Sequence, residues 1–175
     1  MNEDPQETQA LAERIQRGEE DFPVPEEMLH EPDKDKPINK SVYQQIHNMT
    51  VGERLKLALK GNREARLLLL RDSNRMIQRF VLKNPRVTED EIIAIARNRN
   101  VDSDLLREVG DHNLWPRNYQ IRFALATNPK TPLATALPLV SHLSERELRF
   151  IAKSKNVPAA VVSMARRIMI QKGRM

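Results

Sequence analysis

The chain has no cysteine, which rules out disulfides, a thiol nucleophile and a thiolate metal site. Its four histidines, His30, His47, His112 and His142, include no pair at the i,i+3 or i,i+4 spacing of a helical metal site. Five glycines in 175 residues leave no Gly-rich phosphate loop. Apolar runs are short, Leu67 to Leu70 being typical, whereas a membrane-spanning helix needs roughly 20 residues. The opening Asn2-Glu3-Asp4 is not the basic start of a secretory signal. Aromatic residues make up 4% of the chain, which counts against the stacking platforms of single-stranded nucleic acid binders. These absences predict a cytoplasmic, non-enzymatic protein with no cofactor, no metal and no membrane insertion.

What is present is divided charge. Residues 1–40 carry twelve Asp and Glu against five Lys and Arg, a net of −7. Residues 41–175 carry twelve acids against 24 bases, a net of +12, and the two parts give the chain its +5. Such asymmetry points to an acidic protein segment, nucleic acid or another anionic surface as partner. Residues 1–40 also contain Pro5, Pro23, Pro25, Pro32 and Pro37 and few large apolar residues, so they are expected to form a mostly disordered acidic arm. The exception is Gln9 to Glu20, where Leu11 and Ile15 lie one turn apart and Gly18 can end a short helix.

From Ser41 onward the pattern is helical. Ser41 with Gln44, Thr50 with Glu53, Thr88 with Glu91 and Ser144 with Glu147 read as capping boxes. The segments behind them are short and carry one apolar stripe each, such as Ile92, Ile93 and Ala96, while period-2 strand patterning is absent. Further helices are expected near residues 62–70, 74–82, 103–110, 118–127, 133–140, 145–154 and 161–169.

A phrase also recurs. Ile95-Ala96-Arg97-Asn98-Arg99-Asn100-Val101 returns as Ile151-Ala152-Lys153-Ser154-Lys155-Asn156-Val157, and Leu82-Lys83-Asn84-Pro85-Arg86 as Ala126-Thr127-Asn128-Pro129-Lys130. Self-similarity of this kind marks stacked units too small to bury their own apolar faces. Asn84, Asn100, Asn128 and Asn156 are read as the seams, each leaving the helical region as a cap or left-handed residue, with Pro85 and Pro129 barring continuation.

The succession Asp72-Ser73-Asn74, Leu82-Lys83-Asn84-Pro85, Ile95-Ala96 and Leu125-Ala126-Thr127-Asn128-Pro129-Lys130-Thr131-Pro132 resembles the short repeats of the leucine-rich repeat variant family and, more loosely, HEAT and armadillo repeats. The resemblance covers about residues 50–170. It implies an all-α, right-handed solenoid with an interaction role, occupying residues 41–175 behind the arm. The iron–sulfur cluster of that family does not carry over, because its ligands are cysteines.

Two sets of candidate site residues follow. Lys83, Arg86, Arg97, Arg99, Lys130, Lys153 and Lys155 keep company with the seam asparagines, and equivalent positions in a stack would line them into a basic ridge for phosphates or an acidic segment. The plainer reading is that bases near helix C-termini complement the helix dipole. The connection holding Asp111, His112, Trp115, Arg117 and Tyr119 gathers an ionisable pair with the only Trp, and is either a loop pocket or a plug between helices. Asp111, Arg117 and Trp115 also resemble the Asp, Arg and Trp set of HEAT-like DNA glycosylases.

The primary expectation is a noncatalytic adaptor or scaffold that binds an acidic protein segment along the basic edge, with the chain's own arm, residues 1–40, able to mask that edge. Nucleic-acid binding through phosphate contacts is the alternative, and a HEAT-like glycosylase a weaker third.

Overall fold

A computed structural model of the chain describes residues 4–31 and 40–173. Among these residues the protein is all-α, with eleven helices and no strand. None of its helices is long and apolar enough to cross a membrane. The chain divides into two compact units, residues 1–87 and 88–175, and not at the boundary expected between residues 40 and 41.

The first unit holds α1 (Pro5–Arg17), α2 (Lys40–His47), α3 (Val51–Lys60), α4 (Arg63–Leu69) and α5 (Arg75–Leu82), with a 3-10 turn at Glu26–Met28. Here the structure departs from the expected disordered arm, of which residues 1–3 and 32–39 lie outside the described residues. Asp4 caps α1 by accepting from the Gln6 N–H, Pro5 takes the first helical position, and Gly18 at φ 73° closes the C-terminus. Thr8, Ala12 and Ile15 repeat at helical spacing on one buried face, which packs against α3 and α5. Beyond the helix, Met28 is 1% exposed in the same core, and the Phe22 ring lies so close over Gly52 of α3 that a Cβ there would meet it at 2.3 Å. A few well-placed apolar residues thus anchor a segment whose average composition is that of a solvated tail.

Carboxylates of this segment find cations on the helices beneath. Lys56 Nζ reaches Asp21 Oδ1 at 2.7 Å, and Arg66, 1% exposed, donates to Glu31 Oε1 at 2.7 Å. Residues 1–87 carry fifteen acids and fifteen bases, so the first unit is formally neutral.

The second unit holds α6 (Glu89–Arg97), α7 (Ser103–Asp111), α8 (Tyr119–Thr127), α9 (Leu133–Val140), α10 (Glu145–Lys153) and α11 (Ala159–Gln171), with a 3-10 turn at Trp115–Arg117. Its main packing is α6 on α8, α8 on α9, and α10 and α9 on α11. Gly110 permits the close approach of α7 to α9, since a Cβ there would lie 2.2 Å from Thr135.

Five helices share one plan. N-caps Thr50, Asn74, Thr88, Asn118 and Ser144 are each followed eight residues on by a buried Ala58, Leu82, Ala96, Ala126 or Ala152. In the last four, Asn84, Asn98, Asn128 or Ser154 comes two residues later, and its side-chain oxygen accepts the N–H of Arg86, Asn100, Lys130 or Asn156. Four residues further stands the next N-cap, Thr88, Asp102, Pro132 or Pro158. The seam positions equivalent to Asn84 and Asn128 are therefore Asn98 and Ser154, two residues before the Asn100 and Asn156 that the sequence suggests. Nor are they left-handed: Asn98, Asn128 and Ser154 sit at φ −76°, −75° and −74° with extended ψ, because the side-chain turn itself redirects the chain.

The amides of these asparagines join seam to seam. Asn84 Nδ2 donates to Ala58 O at 3.0 Å and Gly61 O at 3.1 Å, and Asn128 Nδ2 to Ala96 O at 2.7 Å and Asn98 O at 3.0 Å. Asn62 does the same for Glu27 O and His30 O at 3.0 and 2.9 Å, fastening the N-terminal segment. All three are 3–4% exposed, so the carbonyls they satisfy have little water to turn to.

Of the four expected capping boxes, those at Thr50 and Thr88 close reciprocally. Ser41 lies inside α2, which already starts at Lys40, and its hydroxyl accepts from Gln45. At Ser144 the hydroxyl accepts from Glu147 N, but the Ser144 N–H donates to Tyr119 Oη.

Replacing Asn128 with Ala removes two buried donations and one turn bond, and should cost about 2–4 kcal/mol in urea unfolding. Asn128→Asp, the same shape, should cost more, because it sets a carboxylate against two carbonyl oxygens.

Candidate functional site

The seven expected ridge residues fall in both units, Lys83 and Arg86 in the first and Arg97, Arg99, Lys130, Lys153 and Lys155 in the second. Arg86 is committed to the fold: Nη1 donates to Leu29 O at 2.7 Å, Nη2 to Lys60 O, and Glu31 lies 3.9 Å away. Lys83 sits 4.5 Å from the Phe80 ring centroid and Arg97 reaches Gln120 at 3.3 Å. The side chains of Arg99, Lys130, Lys153 and Lys155 are exposed, with no hydrogen bond or ion pair among the described residues. The Asn128 bonds draw residues 126–130 against 96–98, so Arg97, Arg99 and Lys130 lie at one end of the α6–α8 pair.

The second expected set does not converge on a pocket. His112, the C-cap of α7, accepts the Leu114 and Trp115 N–H groups on Nδ1 at 3.2 and 3.3 Å, and its ring stacks on Trp115 with centroids 3.7 Å apart. Tyr119 turns away to accept the Ser144 N–H at 2.7 Å and to donate to Glu147. Arg122 closes the remainder by donating to Pro116 O, Arg117 O and His142 O, with its guanidinium 5.7 Å from the Tyr119 ring. Asp111 and Arg117 are exposed and form no ion pair with each other. The segment works as a clasp between α8 and the α9–α10 connection, and Trp115 is half-buried within it.

Sequence reasoning placed Lys153 in the ridge but passed over the rest of the outer surface of α10. This surface, with Glu145, Arg146, Arg149, Phe150 and Lys153, lines a shallow depression of about 500 Å³. Arg149, Phe150 and Lys153 follow Arg146 at i+3, i+4 and i+7, one stripe of the helix. Phe150 is 60% exposed, with its ring centroid 6.3 Å from that of half-buried Phe123 on α8. Arg149 pairs with Glu145 at 2.5 Å, whereas the Arg146 side chain has no partner among the described residues. The signal available was the run Arg146-Glu147-Leu148-Arg149-Phe150, in which the buried face takes Leu148 and Ile151 and leaves Phe150 to solvent.

Three carboxyls of the first unit, Asp21, Glu31 and Glu53, are held below their ordinary range, Glu53 by the Thr50 side-chain and backbone hydrogen bonds of its capping box. Asp21 is lowered chiefly by the Lys56 hydrogen bond. For Glu31 burial pushes upward, but the bonds from Arg66 and the Arg63 N–H and the charges of Arg66 and Arg86 outweigh it. Among the described residues no group of three or more His, Asp or Glu is placed to hold a metal ion. Comparison of the chain with known protein families, curated proteins and solved structures found no match.

A carboxyl lowered in the folded state stabilises above its unfolded value, about 4.3 for Glu, and that contribution is lost as pH falls through the folded value. Glu31→Gln should therefore lower stability at pH 7, by up to about 1 kcal/mol, since the Glu31 side chain is 41% exposed and solvent screens the pair. The difference from the parent chain should shrink on acidification below about pH 4, as followed by thermal unfolding across pH.

Proposed function

We propose that this protein is a noncatalytic adaptor whose second unit docks a carboxylate-rich segment of a partner protein. The observation that carries this reading is the α10 stripe, where Arg146 and Lys153 have no partner among the described residues and stand beside exposed Phe150, continued by Lys155 just beyond the helix. Residues 88–175 carry nine acids and fourteen bases, a net of +5, while the first unit is neutral. Charge open to a partner is therefore concentrated in the second unit. We read the common plan of N-cap, buried apolar residue and seam as the element of a right-handed α-solenoid of the HEAT, armadillo and leucine-rich repeat variant kind, an architecture suited to presenting helix faces in series.

The reading is tested by fluorescence anisotropy of the full chain with labelled decaglutamate, a ten-nucleotide single strand and a duplex, alongside lysate pulldowns with and without nuclease. The peptide should bind and weaken with salt, and Lys153→Glu with Lys155→Glu should reduce affinity about tenfold, each exposed pair contributing up to about 1 kcal/mol. Tighter binding of either nucleic acid, with pulldown lost to nuclease, would replace this reading with phosphate-contact nucleic-acid binding, whose salt slope on duplex is near −0.9 per contact.

A further inference from the structure

Resting on that reading, we infer that the docked segment is extended and carries an aromatic anchor that seats on Phe150, with a carboxylate on each side of it. Phe150 is 60% exposed and leans on Phe123 at 6.3 Å with planes 49° apart, so two rings make a small apolar floor on a charged surface. Arg146 and Lys153 flank this floor seven residues apart, about 10 Å along the helix. An extended chain advances about 3.3 Å per residue, so acids three to five positions apart, about 10–16 Å, come within reach of the long Arg146 and Lys153 side chains with the anchor between them.

The first unit supplies a worked instance of the same chemistry. There Lys56 Nζ bonds both Asp21 Oδ1 and Phe22 O at 2.7 Å, while the Phe22 ring packs over Gly52 of the same helix, α3. Pro23 and Pro25 hold that acidic-aromatic segment extended. The α10 stripe offers the same pairing of helix cations with an aromatic seat, and no described segment of residues 88–173 lies across it. A protein occupant fits better than a nucleic acid, since Glu145 shares the depression and would face a phosphate. The stripe also gives one exposed ring where strand binders use several.

The test uses the full chain and a labelled peptide Glu-Glu-Asp-Phe-Pro-Val-Pro-Glu-Glu, the sequence of residues 19–27, read by anisotropy against the same peptide with Ser for Phe and against decaglutamate. The Phe peptide should bind about tenfold more tightly than its Ser version, the effect of burying one aromatic side chain at roughly 1.4 kcal/mol. Phe150→Ala should erase that advantage, bringing the Phe and Ser peptides to equal affinity, Phe150→Tyr should restore it, and Arg146→Glu with Lys153→Glu should weaken all three ligands. Circular dichroism confirms folding of each variant. Equal binding of the Phe and Ser peptides, unaffected by Phe150→Ala, would overturn the anchor and leave acidic docking standing. Failure of every peptide to bind would overturn both readings. Peptide binding that survives Phe150→Ala but falls with Gly52→Leu would place the peptide on α3 by exchange and overturn the assignment to α10.

Discussion

One side-chain amide donating to two backbone carbonyls holds the helix ends of this protein together. A helix of nine or ten residues leaves four carbonyls at its C-terminus, nearly half its acceptors, without internal partners. Where such ends are packed against other helices, water cannot satisfy them. Asn84 and Asn128 each donate from a neighbouring seam to two of the carbonyls at such an end, and each also turns its own chain by accepting an N–H with the amide oxygen. Both sides of the amide are therefore in use, one on the local turn and one on the neighbour. Short helices are tolerable in this fold because the cost of their ends is shared between neighbouring seams within each unit. Where the repeat substitutes Ser154, the hydroxyl keeps the local turn, and the carbonyl of Ala152 is satisfied by Arg166 from α11.

Charge is distributed by the same economy. In the first unit the N-terminal segment brings carboxylates to cations that would otherwise crowd α3 and α4, and Glu31 gathers the Arg66 guanidinium, the Arg63 N–H and the nearby Arg86 charge. Arg66 is almost wholly buried, so its carboxylate partner is part of the fold and not a surface ornament. Among the described residues of the second unit no such segment lies on α10, and Arg146 and Lys153 there have no such carboxylate partner. A division visible in the sequence as an acidic arm and a basic body becomes, in three dimensions, a compensated unit and a basic one.

Helix positions were legible because they rest on local chemistry. Thr50, Thr88 and the Asn residues before α4, α5 and α8 announce their helices through bonds within three residues. The ordering of residues 4–31 was not, because it depends on Ala12, Ile15 and Met28 meeting a surface built from residues far along the chain, which composition cannot report. The seam register slipped by two because Asn98 and Asn100 are interchangeable as letters, and only the bond from the Asn100 N–H to Asn98 Oδ1 tells them apart. Arg86 looked like a ridge residue for the same reason: nothing in its neighbours shows that its guanidinium ends on Leu29 O and Lys60 O. Phe150 was overlooked because a lone aromatic at helical spacing is normally core, and here Leu148 and Ile151 already fill that role.

The stacking of His112 on the chain's single tryptophan gives the second unit an optical label of its own. Trp115 belongs to residues 88–175, so indole emission reports that unit alone, whereas far-ultraviolet dichroism sums the helices of both. The gap between the two signals during denaturation is a direct readout of how far the units melt as one body. The protein thus carries, without any added dye, a reporter that is silent about one half of itself.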